Sequence, residues 1–220
     1  MIKNNIKLQI LIGMTGVGLM FLFWKAVGFQ IAGNISPLLQ RVFNILALLS
    51  LNLPALLIAF LVKDSLANYG FSRRNLLRQI AIGTGIGLGM AVVLTLIPML
   101  LFGKNSVYTG ERYTTAAEAI GGLAYFVFVV GLSEEFIFRG FLYSKLDNYC
   151  ISDGMPIFLS SALFGLYHFS GFNLIQVLLT GFIGAFFCIC RKKIPGCTVL
   201  SLAIAHGIHD WMIRLLTSLL

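Results

Sequence analysis

Along this chain, long apolar runs alternate with short polar breaks. A helix needs about 17–25 predominantly apolar residues to cross a bilayer. Candidate spans fall at roughly 8–24, 42–62, 79–102, 120–138, 155–170, 174–190 and 197–213, with those at 155–170 and 174–190 on the short side. The pattern predicts an all-α, multi-pass transmembrane helical bundle of about seven spans, six and eight being the neighbouring counts. The tail from Leu215 to Leu220 is apolar but too short to cross again. At the other end, MIKNNIK followed by an apolar run resembles a signal peptide. No small-residue cleavage site follows, and Trp24 and Lys25 fit interface anchors of a retained first span.

Composition agrees with the pattern. Of 220 residues, 58% are hydrophobic and 11% charged, and the mean hydropathy is +0.92. A soluble domain carries about 25% charged residues and could not hide this much apolar surface from water. The net charge of +8 could suggest a nucleic-acid partner, but its distribution excludes that reading. With the N-terminus on the cytoplasmic side, the inner segments hold Lys3, Lys7, Lys63, Arg73, Arg74, Arg78, Arg139, Lys145, Arg191, Lys192 and Lys193, eleven of the sixteen basic residues. That is the positive-inside bias of a membrane protein, and Arg73, Arg74 and Arg78 are expected to face lipid headgroups. The segment 103–119 is the longest polar outer loop. Cys150, Cys188, Cys190 and Cys197 lack common zinc spacings and read as small membrane thiols. Repeats and low-complexity linkers are absent, so 1–220 reads as one membrane domain.

Polarity within the spans is uneven. Up to residue 102, charges only flank the runs. From residue 131 onward Glu134, Glu135, Arg139, His168, His206, His209 and Asp210 enter them, and these include all three histidines. Ionisable groups inside a membrane are costly enough that function is the default hypothesis. In GLSEEFIFRG, Glu135 and Arg139 stand four apart with the acid first, the favourable order for a same-face ion pair. Glu134 is rotated about 100° away. The expectation is a structural Glu135–Arg139 pair, with Glu134 left for general-base chemistry; the bland reading is a charge cluster at a helix end. In FGLYH the ring of Phe164 packs over the His168 face, and a lone histidine here is more often a satisfied core residue than a catalyst. In HGIHD, His206 and Asp210 share a face and His209 is offset, too dense a polar group for packing alone. Gly207 keeps one side slim for the approach of a helix or a substrate. If these segments converge, Glu134 and His168 could deprotonate a water while His206 and Asp210 steady an oxyanion.

The ordered set EExxxR (134–139), FxxxH (164–168) and HxxxD (206–210) resembles the three motifs of the CPBP intramembrane proteases, the CAAX prenyl endopeptidase type 2 and bacteriocin-processing (Abi) group, over about residues 120–213. The resemblance implies a glutamate-dependent endopeptidase with no required metal or other cofactor. Glu134 would act with His168, His206 and Asp210 would form the oxyanion site, and Glu135, Arg139, Phe164 and His209 would support them. Position 210 is Asp where eukaryotic members carry Asn, so Asp210 could instead orient His206. Implied partners are membrane lipids and a peptide or prenylated, lipid-associated protein substrate, with no nucleic acid. The short chain is most like prokaryotic members, which implies a plasma-membrane location. Zinc, held by Glu134, His168 and His206, is the nearest rival chemistry, although HExxH is absent. Bacteriocin self-immunity, or a sensor or scaffold role without essential proteolysis, is the alternative function. A proton-relay transporter is weakened by the lack of inverted repeats.

Overall fold

A computed structural model of the chain describes residues 2–31, 34–103, 106–107, 112–169 and 173–219. Six residues of the 103–119 loop (104, 105 and 108–111), residue 170 of the fifth expected span and residue 220 of the apolar tail therefore lie outside the described residues. Among the described residues the regular structure is entirely helical. The long helices are α1 (Ile6–Ile31), α2 (Pro37–Val62), α3 (Leu76–Phe102), α4 (Ala116–Asp147), α5 (Gly154–Tyr167), α6 (Leu174–Lys193) and α7 (Val199–Leu219). Each corresponds to one expected span. Six are long and apolar enough to cross a membrane, and α5 is the short exception. Its 14 residues rise only about 21 Å, short of the roughly 30 Å of a hydrocarbon core. Bulky apolar side chains on the outer helix faces, such as Phe60 (80% exposed) and Leu77 (83% exposed), have lipid as their natural solvent. The chain is an integral membrane protein.

Local chemistry sets the helix ends. Ser36 caps α2 by accepting from the Leu39 N–H, with Pro37 in the first turn, where its missing N–H costs nothing. Thr115 caps α4 by accepting from the Glu118 N–H at 3.1 Å. The Glu118 carboxylate reaches back to the N–H and hydroxyl of Thr114 at 2.8 Å, a close variant of the reciprocal capping box. Inside α3, Pro98 follows a π-helical stretch, Val92–Leu96. That wide turn relieves the clash a proline imposes on the preceding turn.

The chain packs as two compact units, one formed by Met1–Phe71 with Phe136–Cys190 and the other by Ser72–Glu135 with Arg191–Leu220. The division falls inside α4, between Glu135 and Phe136. In the first unit the core gathers Val17, Ala55, Ile58, Tyr69, Phe136, Phe138, Phe141 and Phe164. Gly13 leaves room for the ring of Phe141, whose atoms stand 2.6 Å from where a Cβ would be. Trp24 donates its indole N–H to Ser50 at 2.6 Å, so this anchor is also tied to α2. Buried Lys145 bonds the Gln9 side chain at 2.5 Å and Asp64 at 2.7 Å, joining α1, the segment after α2 and the end of α4.

In the second unit α3 and α7 lie backbone to backbone. A Cβ on Gly83 or Gly87 would stand 2.4 Å from the Ser201 carbonyl oxygen or 2.7 Å from that of Ala205. Gln79 locks the start of this contact. Its amide donates to the carbonyls of Ser72 and Arg74, and its own carbonyl accepts from Thr198 at 2.6 Å.

Candidate active site

The two glutamates sit at a change of helical pitch. Leu132–Glu135 is α-helical, Phe126–Gly131 before it winds as π-helix, and Phe136–Leu142 after it does so again. Wide π turns break the 3.6-residue register and recur at functional sites. The four-residue step from Glu135 to Arg139 thus runs from an α-helical turn into the second wide stretch. Glu134 is 6% exposed, and Glu135 and Arg139 are completely buried. A solvated charge cluster at a helix end is ruled out.

Within the second unit α4 and α7 approach closely because both carry glycine at the contact. A Cβ on Gly131 would stand 2.4 Å from the Ala203 carbonyl oxygen, and one on Gly207 would stand 2.5 Å from the Val127 backbone. This crossing puts the HGIHD segment beside the glutamates. His206, 8% exposed, bonds Glu135 Oε1 through Nδ1 at 2.9 Å. A carboxylate only accepts there, so Nδ1 carries a proton. The ring's other nitrogen, Nε2, lies 3.4 Å from Asp210 Oδ2 and 3.8 Å from Glu134 Oε2. Both distances exceed the roughly 2.7–2.9 Å of strong charge-assisted bonds. His209 turns Nδ1 toward Asp210 Oδ1 at 3.3 Å. Three carboxyls and two imidazoles thus share one apolar site. The Glu135–His206 bond is the contact that sequence reasoning missed. Periodicity relates residues of one helix and carries no signal for a pairing across 71 positions.

The remaining candidates belong to the first unit. The Arg139 guanidinium stacks 3.9 Å from the centroid of the Phe164 ring and 5.3 Å from that of Phe187. Gly184 clears its path, since a Cβ there would stand 3.2 Å from Arg139 Nη2. Two aromatic faces pack against the desolvated cation. His168 is the C-terminal cap of α5 rather than a residue inside it. Its Nδ1 lies 2.9 Å from the Phe164 carbonyl oxygen, which can only accept. That fixes the proton on Nδ1 and makes Nε2 the basic nitrogen of the neutral ring. The rings of Phe164 and His168 meet edge-on at 4.6 Å. Phe164 therefore orders both Arg139 and His168.

Such a site can exchange protons, hold a water and polarise a carbonyl. Among the described residues, no group of three or more His, Cys, Asp or Glu side chains is disposed to hold a metal ion. The four cysteines are free thiols.

Residues 116–212 match the family described as type II CAAX prenyl endopeptidase, Rce1-like. Curated proteins and solved structures return no match to the chain. The matched segment opens at the first residue of α4 and closes within α7, taking in every motif just described. Over residues 116–212, the chain is therefore similar to the CPBP/CAAX proteases.

Proposed function

We propose that this protein is an intramembrane endopeptidase of glutamic type, cleaving near the end of a membrane-anchored polypeptide such as a prenylated CAAX tail. The observation that carries the reading is the group of buried Glu134, Glu135 and His206 with half-buried Asp210, packed across α4 and α7 within the family-matched segment. Glu134 takes a proton from water, and the resulting hydroxide attacks the scissile carbonyl carbon. The negative charge moves to the carbonyl oxygen. As that tetrahedral species collapses, the C–N bond breaks and the proton held by Glu134 passes to the leaving amine. No metal is needed for these steps.

Support for the division of labour comes from His206. Its Nδ1 is fixed by Glu135 at 2.9 Å, which sets the ring plane. The loose contacts on the Nε2 side suit a donor that turns to an incoming oxyanion. Glu135 is then a positioning residue for His206, and Asp210 trims the charge of the ring. Arg139, fully buried between two aromatic rings, keeps the supporting role that the family resemblance implies.

The test is cleavage of a fluorogenic S-farnesylated peptide ending in a CAAX tail by the full chain in detergent. Glu134→Gln keeps the shape and removes the base, so it should lower kcat by about 10²–10⁴-fold with unchanged thermal stability. A Glu134→Gln protein that cleaves at the original rate would refute the assignment.

A further inference from the structure

Four residues beyond Asp210, on the ridge of α7 that runs through His206 and Asp210, stands Arg214. From position it reads as a flanking charge of the last span, but its surroundings say otherwise. Its guanidinium lies over the ring of buried Phe126, on α4, at 4.9 Å. Tyr125 lies within electrostatic reach of both Arg214 and Glu134. Tyr113, in the segment before α4, lies within electrostatic reach of Arg214 and Asp210: burial pushes its phenol above the ordinary range, Arg214 pulls it back, and Asp210 pushes it up again. Tyr113 is held in place. Its N–H donates to Ser218 Oγ at 2.9 Å, Ser218 donates to the Arg214 carbonyl at 2.6 Å, and the phenol rests on Gly122, where a Cβ would collide with it. Its hydroxyl is buried without a hydrogen-bond partner among the described residues. A cation and an unsatisfied hydroxyl donor therefore stand together, one step beyond the catalytic carboxylates.

We infer that Arg214 and Tyr113 bind the C-terminal carboxylate of the substrate and so set the distance between the chain end and the cleaved bond. The inference rests on the endopeptidase reading above. The spacing supports it. From His206 to Arg214 α7 rises about 12 Å, eight residues at about 1.5 Å each. A CAAX tail ends three residues after its prenylated cysteine, and three extended residues cover about 10–11 Å. With the cysteine carbonyl at Glu134 and His206, the terminal carboxylate reaches Arg214, whose fork of donors matches a carboxylate. A longer tail would carry its carboxylate past this point, and an amidated one would offer no charge.

The experiment compares three S-farnesylated peptides with the full chain in detergent: the free acid ending three residues after the cysteine, its C-terminal amide, and a version extended by two residues. The unmodified protein should favour the free acid by about 10–100-fold in kcat/KM, mainly through KM, as expected for a hydrogen-bonded charge. Arg214→Gln should bring the acid-to-amide ratio close to one, Arg214→Lys should retain part of it, and Tyr113→Phe should reduce it. If the unmodified protein cleaves acid and amide within about twofold, the carboxylate assignment is wrong while the protease reading stands. If Arg214→Gln slows both peptides and leaves the ratio intact, Arg214 is structural and the assignment again fails. If none of the three peptides is cleaved, the endopeptidase reading falls and takes the inference with it. Should Arg214→Gln not fold, Tyr113→Phe and product inhibition of the unmodified protein decide: the free tripeptide acid must inhibit at least about tenfold better than its amide.

Discussion

Gly207→Ala tests whether the site depends on how closely α4 and α7 approach. An added Cβ would stand 2.5 Å from both the backbone nitrogen and Cα of Val127. Non-bonded carbons rest at about 3.5–4.0 Å, so the helices must part by about 1 Å. The obstacle is backbone on both sides, and rotamer changes cannot relieve it. Overpacking of this kind costs about 1–3 kcal/mol. The larger effect should be on chemistry, because His206 adjoins position 207 and its 2.9 Å bond to Glu135 crosses the same contact. A displacement near 1 Å in a catalytic constellation can cost about 10²-fold in rate. The assay pairs thermal unfolding in detergent with kcat/KM on the farnesylated peptide. The control is Gly89→Ala on α3, where a Cβ meets nothing within 4 Å. Gly89→Ala should leave both readings near their original values, whereas Gly207→Ala should lose about 10²-fold in kcat/KM and some stability. A Gly207→Ala protein with full activity and unchanged unfolding would show that this close approach does not position the site.

His206→Ala should reduce cleavage by about 10²–10³-fold, as loss of an oxyanion donor does, while Asp210→Asn should shift the pH–rate profile with a smaller change at its maximum; matching profiles for Asp210→Asn and the unmodified protein would argue against charge control by Asp210. In the first unit, partial burial pushes the Asp64 carboxyl up, but hydrogen bonds from Lys145, Tyr69 and Asn68 outweigh it and hold it below the ordinary carboxylate range. A lowered carboxyl stabilises the fold above its unfolded value of about 3.9 and loses that contribution as pH falls through the folded value. Asp64→Asn should therefore cost about 1–3 kcal/mol at neutral pH, with the gap in unfolding temperature closing below about pH 4; a gap that persists in acid would assign the loss to packing. Cleavage should survive a zinc chelator, and activity that disappears and returns with added zinc would favour metal chemistry.

The helical class and the seven apolar segments follow from the sequence because burial in lipid demands runs of apolar residues, and such runs are local. Ser36 and Thr115 announce helix starts for the same reason: a cap bonds within three residues. The three motifs were legible because ionised side chains are rare inside apolar spans, so Glu134, His168 and His206 stand out without any knowledge of their neighbours. Phe164 over His168 was readable too, being one helical turn away. What the sequence could not set was partnership across the chain. The α-helical spacing pointed Glu135 toward Arg139 alone, and gave no sign that His206, 71 positions later, also bonds Glu135. Arg139 took its aromatic neighbours from α5 and α6, and Arg214 looked like a flanking charge until Phe126, Tyr113 and Tyr125 were found around it. Gly131 and Gly207 explain the difference physically. A missing side chain carries no chemical signal of its own, and only the meeting of two backbones shows that its absence lets α4 and α7 touch.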